Sequence, residues 1–175
     1  MCSRMHILIY ITIYITIYIT IYITGYIMNN LETILEMWKK DSIIDELQLD
    51  QSARDSAKLH SKYLELYSVN KLRFKRLDLE FKVLLRDKFM HYNGKLSQDE
   101  MDKRGWGYDP LNGLTVLKGD MDKWYDADPL IQEHQAKMHY TQELVDTLKE
   151  ILDNVKWRHQ TIKNIIEWNK FTSGM

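Results

Sequence analysis

From Ile131 to Ile166, seam residues step by three and four without a break: Ile131, His134, Met138, Thr141, Val145, Leu148, Leu152, Val155, His159, Ile162 and Ile166. That is a heptad seam five heptads long, the pattern of a helix that packs lengthwise on other helices. Leu144, Ile151, Ile165 and Trp168 widen its apolar face. A helix from Leu130 to about Lys170, in a chain of 175 residues, can bury such a seam in two ways. It can fold back on a second long helix, or it can assemble with other copies. For assembly, the contact positions are Val145, Leu148, Leu152, Val155, Ile162 and Ile166. His134 and His159 read as packing or register-setting polar residues on the seam. They are too far apart on one helix to share a metal.

The rest of the chain is compatible with a mainly α fold of long helices. It has only two prolines and seven glycines, with 28% charged residues. Asn30 can cap a short helix from Leu31 to about Lys40, and the segment from Asp41 to Asp45 is a break or tight corner. A second helix begins near Asp50 and can run through Asn70 into the next stretch. Its expected packing face is Ala53, Ala57, Leu64 and Tyr67, with Ser61 permitting close approach and His60 as a packing histidine. Ser97 to Glu100 is a capping box for a short helix. Gly105 to Gly113 is turn-rich, and Leu114 to Leu117 is expected as a short strand, part of a hairpin with the Gly-Trp-Gly stretch. Asp128-Pro129 reads as an N-cap followed by proline at the first helical position.

The first 27 residues are unlike the remainder. Ile9 to Thr24 is four copies of Ile-Tyr-Ile-Thr. Alternation of β-branched and aromatic residues is a strand pattern and an aggregation hazard. The uncharged run from Ile7 to Ile27 is also about long enough to span a bilayer. We read it instead as a start-site artefact, low-complexity sequence ahead of a true start at Met28, with one helical domain over 28–175. Membrane anchoring is the alternative.

Between Lys71 and Lys95 the chain carries eight Lys/Arg against three acids, although its net charge is −1. Phe74, Phe81, Phe89 and Tyr92 lie among these charges. Leu72, Leu77, Leu84 and Leu85 recur at helical spacing as far as the stop at Asn93-Gly94. On an ideal helix Lys71, Lys75, Lys82 and Arg86 form one stripe, while Lys88 lies about 200° round from Arg86. A basic helix with aromatics suits a single-stranded polyanion. Equally, such a helix can be an amphipathic surface helix with solvated charges and a core of Phe and Leu. With no global positive field, affinity for a polyanion would come from this local patch or from many copies of it. Trp106 and Tyr108 read as loop anchors onto the core or as stacking platforms.

Motifs for chemistry are missing. The sequence has no Gly-rich phosphate loop, no Gly-x-Ser-x-Gly, no His-Glu-x-x-His and no Cys-x-x-Cys. The aspartates from Asp120 to Asp128 fail the calcium-loop pattern, because the sixth position is not glycine and Ile131 stands at the twelfth. One cysteine, Cys2, gives no intrachain disulfide and fits a reducing cytoplasm. The expectation is a binding or assembly factor rather than an enzyme, without a cofactor.

Four stretches resemble the UvsY-like recombination mediators of T-even-type bacteriophages. They are Trp38-Lys39-Lys40-Asp41-Ser42-Ile43-Ile44-Asp45, Leu59-His60-Ser61-Lys62-Tyr63-Leu64, Arg86-Asp87-Lys88 with Tyr92-Asn93-Gly94, and Ile162-Lys163-Asn164-Ile165 with Phe171 and Gly174. The likeness spans nearly all of 31–175. The resemblance implies a small helical protein that forms a ring-like homo-oligomer and binds single-stranded DNA in the cytoplasm of the infected host. It implies a role in recombination, repair and replication, helping a RecA-like phage recombinase displace the phage single-strand-binding protein. The family's basic pair maps onto Arg86 and Lys88, in reversed order, and the turn region from Trp106 to Asn112 is longer than the family's. With the stripe above, the DNA-binding residues expected are Lys75, Lys82, Arg86, Lys88 and Tyr92.

Overall fold

The computed structural model describes residues 30–114 and 116–174; the low-complexity leader, with the three readings given for it, lies outside them. Among the described residues there are five α-helices and no strand. They are α1 (Leu31–Asp41), α2 (Leu49–Tyr92), α3 (Gln98–Arg104), α4 (Met121–Ala127) and α5 (Pro129–Thr172), with a 3-10 turn at Lys118–Asp120. They form two compact units. Of the described residues, one unit takes 30–68 together with 146–174, and the other takes those within 69–145.

Helix ends follow local chemistry. The Asn30 side chain accepts from Glu32 N, and Ser97 Oγ accepts from Glu100 N at 3.3 Å. Each thereby satisfies an amide that the first helical turn leaves unpaired. α2 ends where Gly94 takes φ 62° and Lys95 N reaches back to Met90 O at 2.8 Å. That left-handed position is one a side-chain-bearing residue resists. The Asp128 carboxylate accepts from Leu130 N and Ile131 N at 2.9 and 3.2 Å, starting α5 at Pro129 as expected.

In the first unit, Ile34, Tyr63, Leu148, Ile151, Leu152, Val155 and Ile162 are buried. Trp38 meets Tyr63 edge-on at 5.6 Å. Asp41, at the end of α1, takes the Lys62 ammonium at 2.6 Å and the Tyr63 hydroxyl at 2.9 Å. The Arg158 guanidinium caps the same corner, donating to Ser42 O and Ile43 O at 2.7 Å each. Two sequence expectations change here. Ala53, Ala57 and Leu64 face solvent, and the buried line of α2 runs instead through Ser52, Tyr63 and Leu66. Polar Ser52 in that line, bonded to the Asp45 backbone, disguised the face. His159 is exposed, and Arg158 takes the buried position beside it. The buried line of α5 steps by three from Val155 to Arg158 and then by four to Ile162, where the heptad seam steps by four to His159.

The five seam residues Val145, Leu148, Leu152, Val155 and Ile162 are covered within the single chain. Of the six expected assembly positions, Ile166 alone stays open, at 38% exposure, near exposed Trp168 and Phe171. The last two rings pack on each other at 5.9 Å.

In the second unit, α5 runs antiparallel to α2. His134 bonds Leu77 O at 2.9 Å, and one helix end further on the Lys88 ammonium meets Asp128. The expected hairpin is absent among the described residues. Asp109 Oδ1 accepts from Leu111 N and Gly113 N, folding Pro110 to Gly113 into consecutive turns. Asn112 and Gly113 follow with positive φ. Leu111 turns inward, and Leu114 and Leu117 stay exposed with no facing strand.

Candidate nucleic-acid interface

The second half of α2 presents two unlike faces. Phe74, Leu77, Phe81, Leu84 and Leu85 are part-buried against their own unit, while Lys71, Lys75, Lys82 and Arg86 are exposed on the adjoining side. Nothing breaks the helix between Leu49 and Tyr92, so these cations stand on one continuous rod in two pairs, Lys71 with Lys75 and Lys82 with Arg86, each one turn apart. Some are tied locally. Lys82 Nζ lies 2.7 Å from Asp78, and Arg76 Nε lies 2.8 Å from Glu80. Such exposed i,i+4 pairs hold cations only weakly, at roughly 0.3–0.5 kcal/mol each. Among the described residues Arg73 and Lys75 have no carboxylate partner.

Arg86 and Lys88 part company here. The Arg86 side chain is 68% exposed, and its guanidinium is drawn sideways onto Asp87, with Nε and Nη2 at 2.8 and 2.6 Å from Oδ1. Asp87 is buried, and its other oxygen takes Arg104. Burial by itself would raise the Asp87 carboxyl, but hydrogen bonds from Arg86 and Arg104 outweigh it and hold the group below the usual range.

Lys88 points inward. Its side chain is 8% exposed and its ammonium sits 2.7 Å from Asp128, itself 4% exposed. The Trp106 ring lies under the same ammonium at 4.3 Å, a cation–π contact that desolvation strengthens. Tyr92 donates its hydroxyl to the same Asp128 oxygen. Burial and this bond push the Tyr92 phenol well up from its ordinary value. Burial opposes ionisation of Asp128 as well, yet the bonds from Lys88, Tyr92 and the Ile131 amide keep it below the usual range. Of the five expected DNA-contacting residues, Lys75, Lys82 and Arg86 therefore line the outer face. Lys88 and Tyr92 fasten the end of α2 to the start of α5.

Trp106 is an anchor, not an open platform. Its ring meets His91 at 5.1 Å and carries the Arg104 guanidinium at 5.0 Å, while the His91 ring bonds Gly107 O at 2.7 Å. Tyr108 remains exposed, with its hydroxyl on Asp102. Sequence reasoning passed over Asp87, an acid wedged between two bases; its position facing the core, like Lys88 one residue on, was the available signal. Among the described residues no cluster of metal-ligating side chains occurs, and no helix is long and apolar enough to cross a membrane.

Residues 37–175 match the family model described as recombination, repair and ssDNA binding protein UvsY. The chain belongs to the UvsY family. It is 30% identical over 146 residues to the recombination protein uvsY of Enterobacteria phage T4, covering 82% of this chain and 98% of that one. Crystal structures of the bacteriophage T4 recombination mediator protein UvsY superpose with a TM-score of 0.71 at 26% identity over 82% of this chain and 98% of that one. Another lattice form gives 0.67 at 27% identity, over 79% and 97%. The helical UvsY fold expected from the four resembling stretches is thus the fold observed.

Proposed function

We propose that this chain is a single-stranded-DNA-binding recombination mediator. The outer ridge of α2 takes the phosphates, through Lys75, Lys82 and Arg86 with Lys71 alongside. Lys88 and Tyr92 contribute indirectly, by fixing the end of the helix that carries the ridge. The observation that carries this reading is an uninterrupted helix displaying exposed cations along one side, in a member of a family described as binding ssDNA. A ridge of a few weakly paired cations binds a flexible strand with little regard to sequence and is strongly salt-sensitive.

The partners in this reading are a RecA-like phage recombinase and the phage single-strand-binding protein, in the cytoplasm of the infected host. Several copies in a ring would present the ridge repeatedly and convert a modest local affinity into a strong one. The exposed end of α5, at Ile166, Trp168 and Phe171, offers an apolar surface for such assembly. The test is recombinase filament formation on DNA already covered by single-strand-binding protein. Wild-type chain shortens the lag, and a Lys75→Ala/Lys82→Ala/Arg86→Ala variant of unchanged oligomeric state does not. Equal stimulation by the variant removes the ridge from the mechanism.

A further inference from the structure

We propose that the groove beside the basic ridge, between α2 and α5 in the second unit, receives the bases of the bound strand. This rests on the ridge reading and extends it. The groove has a volume of about 280 Å³ and is lined by Phe74, Phe81, Gln135, Met138, His139 and Gln142. Its chemistry is that of a base-tolerant site. Phenyl rings offer faces and edges to any base, and stacking on aromatics does not discriminate sequence. Met138 is a polarisable, adaptable wall. Gln135 and Gln142 each carry an amide with both donor and acceptor, which can meet either kind of base edge.

The groove is built, not incidental. Phe81 stacks on the His134 imidazole, with ring centroids 5.6 Å apart and an interplanar angle of 18°. His134 is itself fixed to Leu77 O at 2.9 Å. The floor of the groove therefore keeps its shape without a ligand.

Register ties groove to ridge. Phe74 and Phe81 are seven residues apart, as are Lys75 and Lys82. Both pairs repeat at about 10.5 Å along the helix axis, with the lysines roughly a quarter-turn round from the rings. One rail of cations and one of aromatics thus run parallel. Asp78 lies between them, but its carboxylate is held by Lys82 at 2.7 Å. A single strand laid along α2 would set phosphates on the lysines and turn its bases into the groove. A duplex, with its bases paired inside, could not.

The test compares oligo-dT with an abasic strand of the same length and charge, both binding the full chain in a fluorescence-anisotropy titration. The expected result is a preference for oligo-dT of roughly tenfold or more, the scale of one stacked base. Gln135→Trp, which fills the groove from the exposed side of α5, should abolish that preference and leave abasic affinity unchanged. A Phe74→Leu/Phe81→Leu variant, checked for an intact thermal transition, should do the same. Equal, salt-sensitive affinity of wild type for both strands would overturn the groove and leave the ridge standing. Absence of binding to either strand at low salt would remove both.

Discussion

Replacing Lys88 by methionine separates the two roles a basic residue can have at this site. Methionine keeps the length and apolar stem of lysine, so little cavity opens and the missing ammonium dominates. In the wild type that ammonium is buried 2.7 Å from Asp128, which is itself buried. Removing one partner of a buried pair typically costs about 3–5 kcal/mol, because the other charge is left uncompensated. Asp128 would keep its bonds from Tyr92, Leu130 N and Ile131 N. We therefore expect the lower end, about 3 kcal/mol. For a chain of this size that corresponds to a fall in Tm of about 6–12 °C. Thermal unfolding followed by circular dichroism reads it directly. Adding Asp128→Asn should recover part of the loss, since a neutral amide no longer needs the cation. At temperatures where the variant is folded, DNA affinity should fall by less than threefold (about 0.7 kcal/mol). A Lys88→Met protein with wild-type Tm and sharply weakened DNA binding would place the ammonium on phosphate rather than on Asp128.

Further expectations follow from the same side-chain pairs. Asp87→Asn should release Arg86 from its side-on pairing and tighten single-stranded DNA binding by about two- to fivefold, of the order of one hydrogen bond, measured by anisotropy; weaker binding would mean that Asp87 positions Arg86 for DNA. Asp87 and Asp128 have lowered pKa values in the fold, so their stabilisation is present above the unfolded carboxyl value, about 3.9. It is lost as pH falls through the still lower folded values. Acid unfolding of wild type should therefore steepen below about pH 4, and Asp128→Asn should flatten that arm; an unchanged profile would contradict the pairing. Leu148→Ala, at a fully buried seam position, should cost about 2–5 kcal/mol in urea unfolding. Ile166→Ala should cost under about 1 kcal/mol in the protomer while reducing oligomer mass in light scattering.

The helices were legible because their signals are local. Asn30, Ser97 and Asp128 stand where caps are required, Asn93-Gly94 stops α2, and the seam of α5 needs only its three–four spacing. What failed depended on partners elsewhere in the chain. Ala53 and Ala57 looked like a packing face because the real one contains Ser52, whose hydroxyl is satisfied by the backbone at Asp45. His159 looked buried because it continues the heptad spacing, but the buried line of α5 passes through Arg158, whose guanidinium finds carbonyl partners at Ser42 and Ile43. The hairpin at Leu114 gave way to the carboxylate of Asp109, which bends its own backbone into turns. In the candidate site, the outward stripe of Lys75, Lys82 and Arg86 followed from spacing alone. The inward turn of Lys88 was visible as an angle, but its partner Asp128 and its cover Trp106 are 40 and 18 residues away. No local pattern joins them.

The most direct test of the ridge is the salt dependence of oligo-dT binding, compared between wild type and the Lys75→Ala/Lys82→Ala/Arg86→Ala variant. Each phosphate that the variant no longer neutralises should flatten the plot of log K against log salt by about 0.7 for single strands. The slope of the variant should be shallower by about 2 per protomer engaged, with helicity and oligomeric mass unchanged. Parallel plots for the two proteins would contradict it and move the DNA to another face of the molecule.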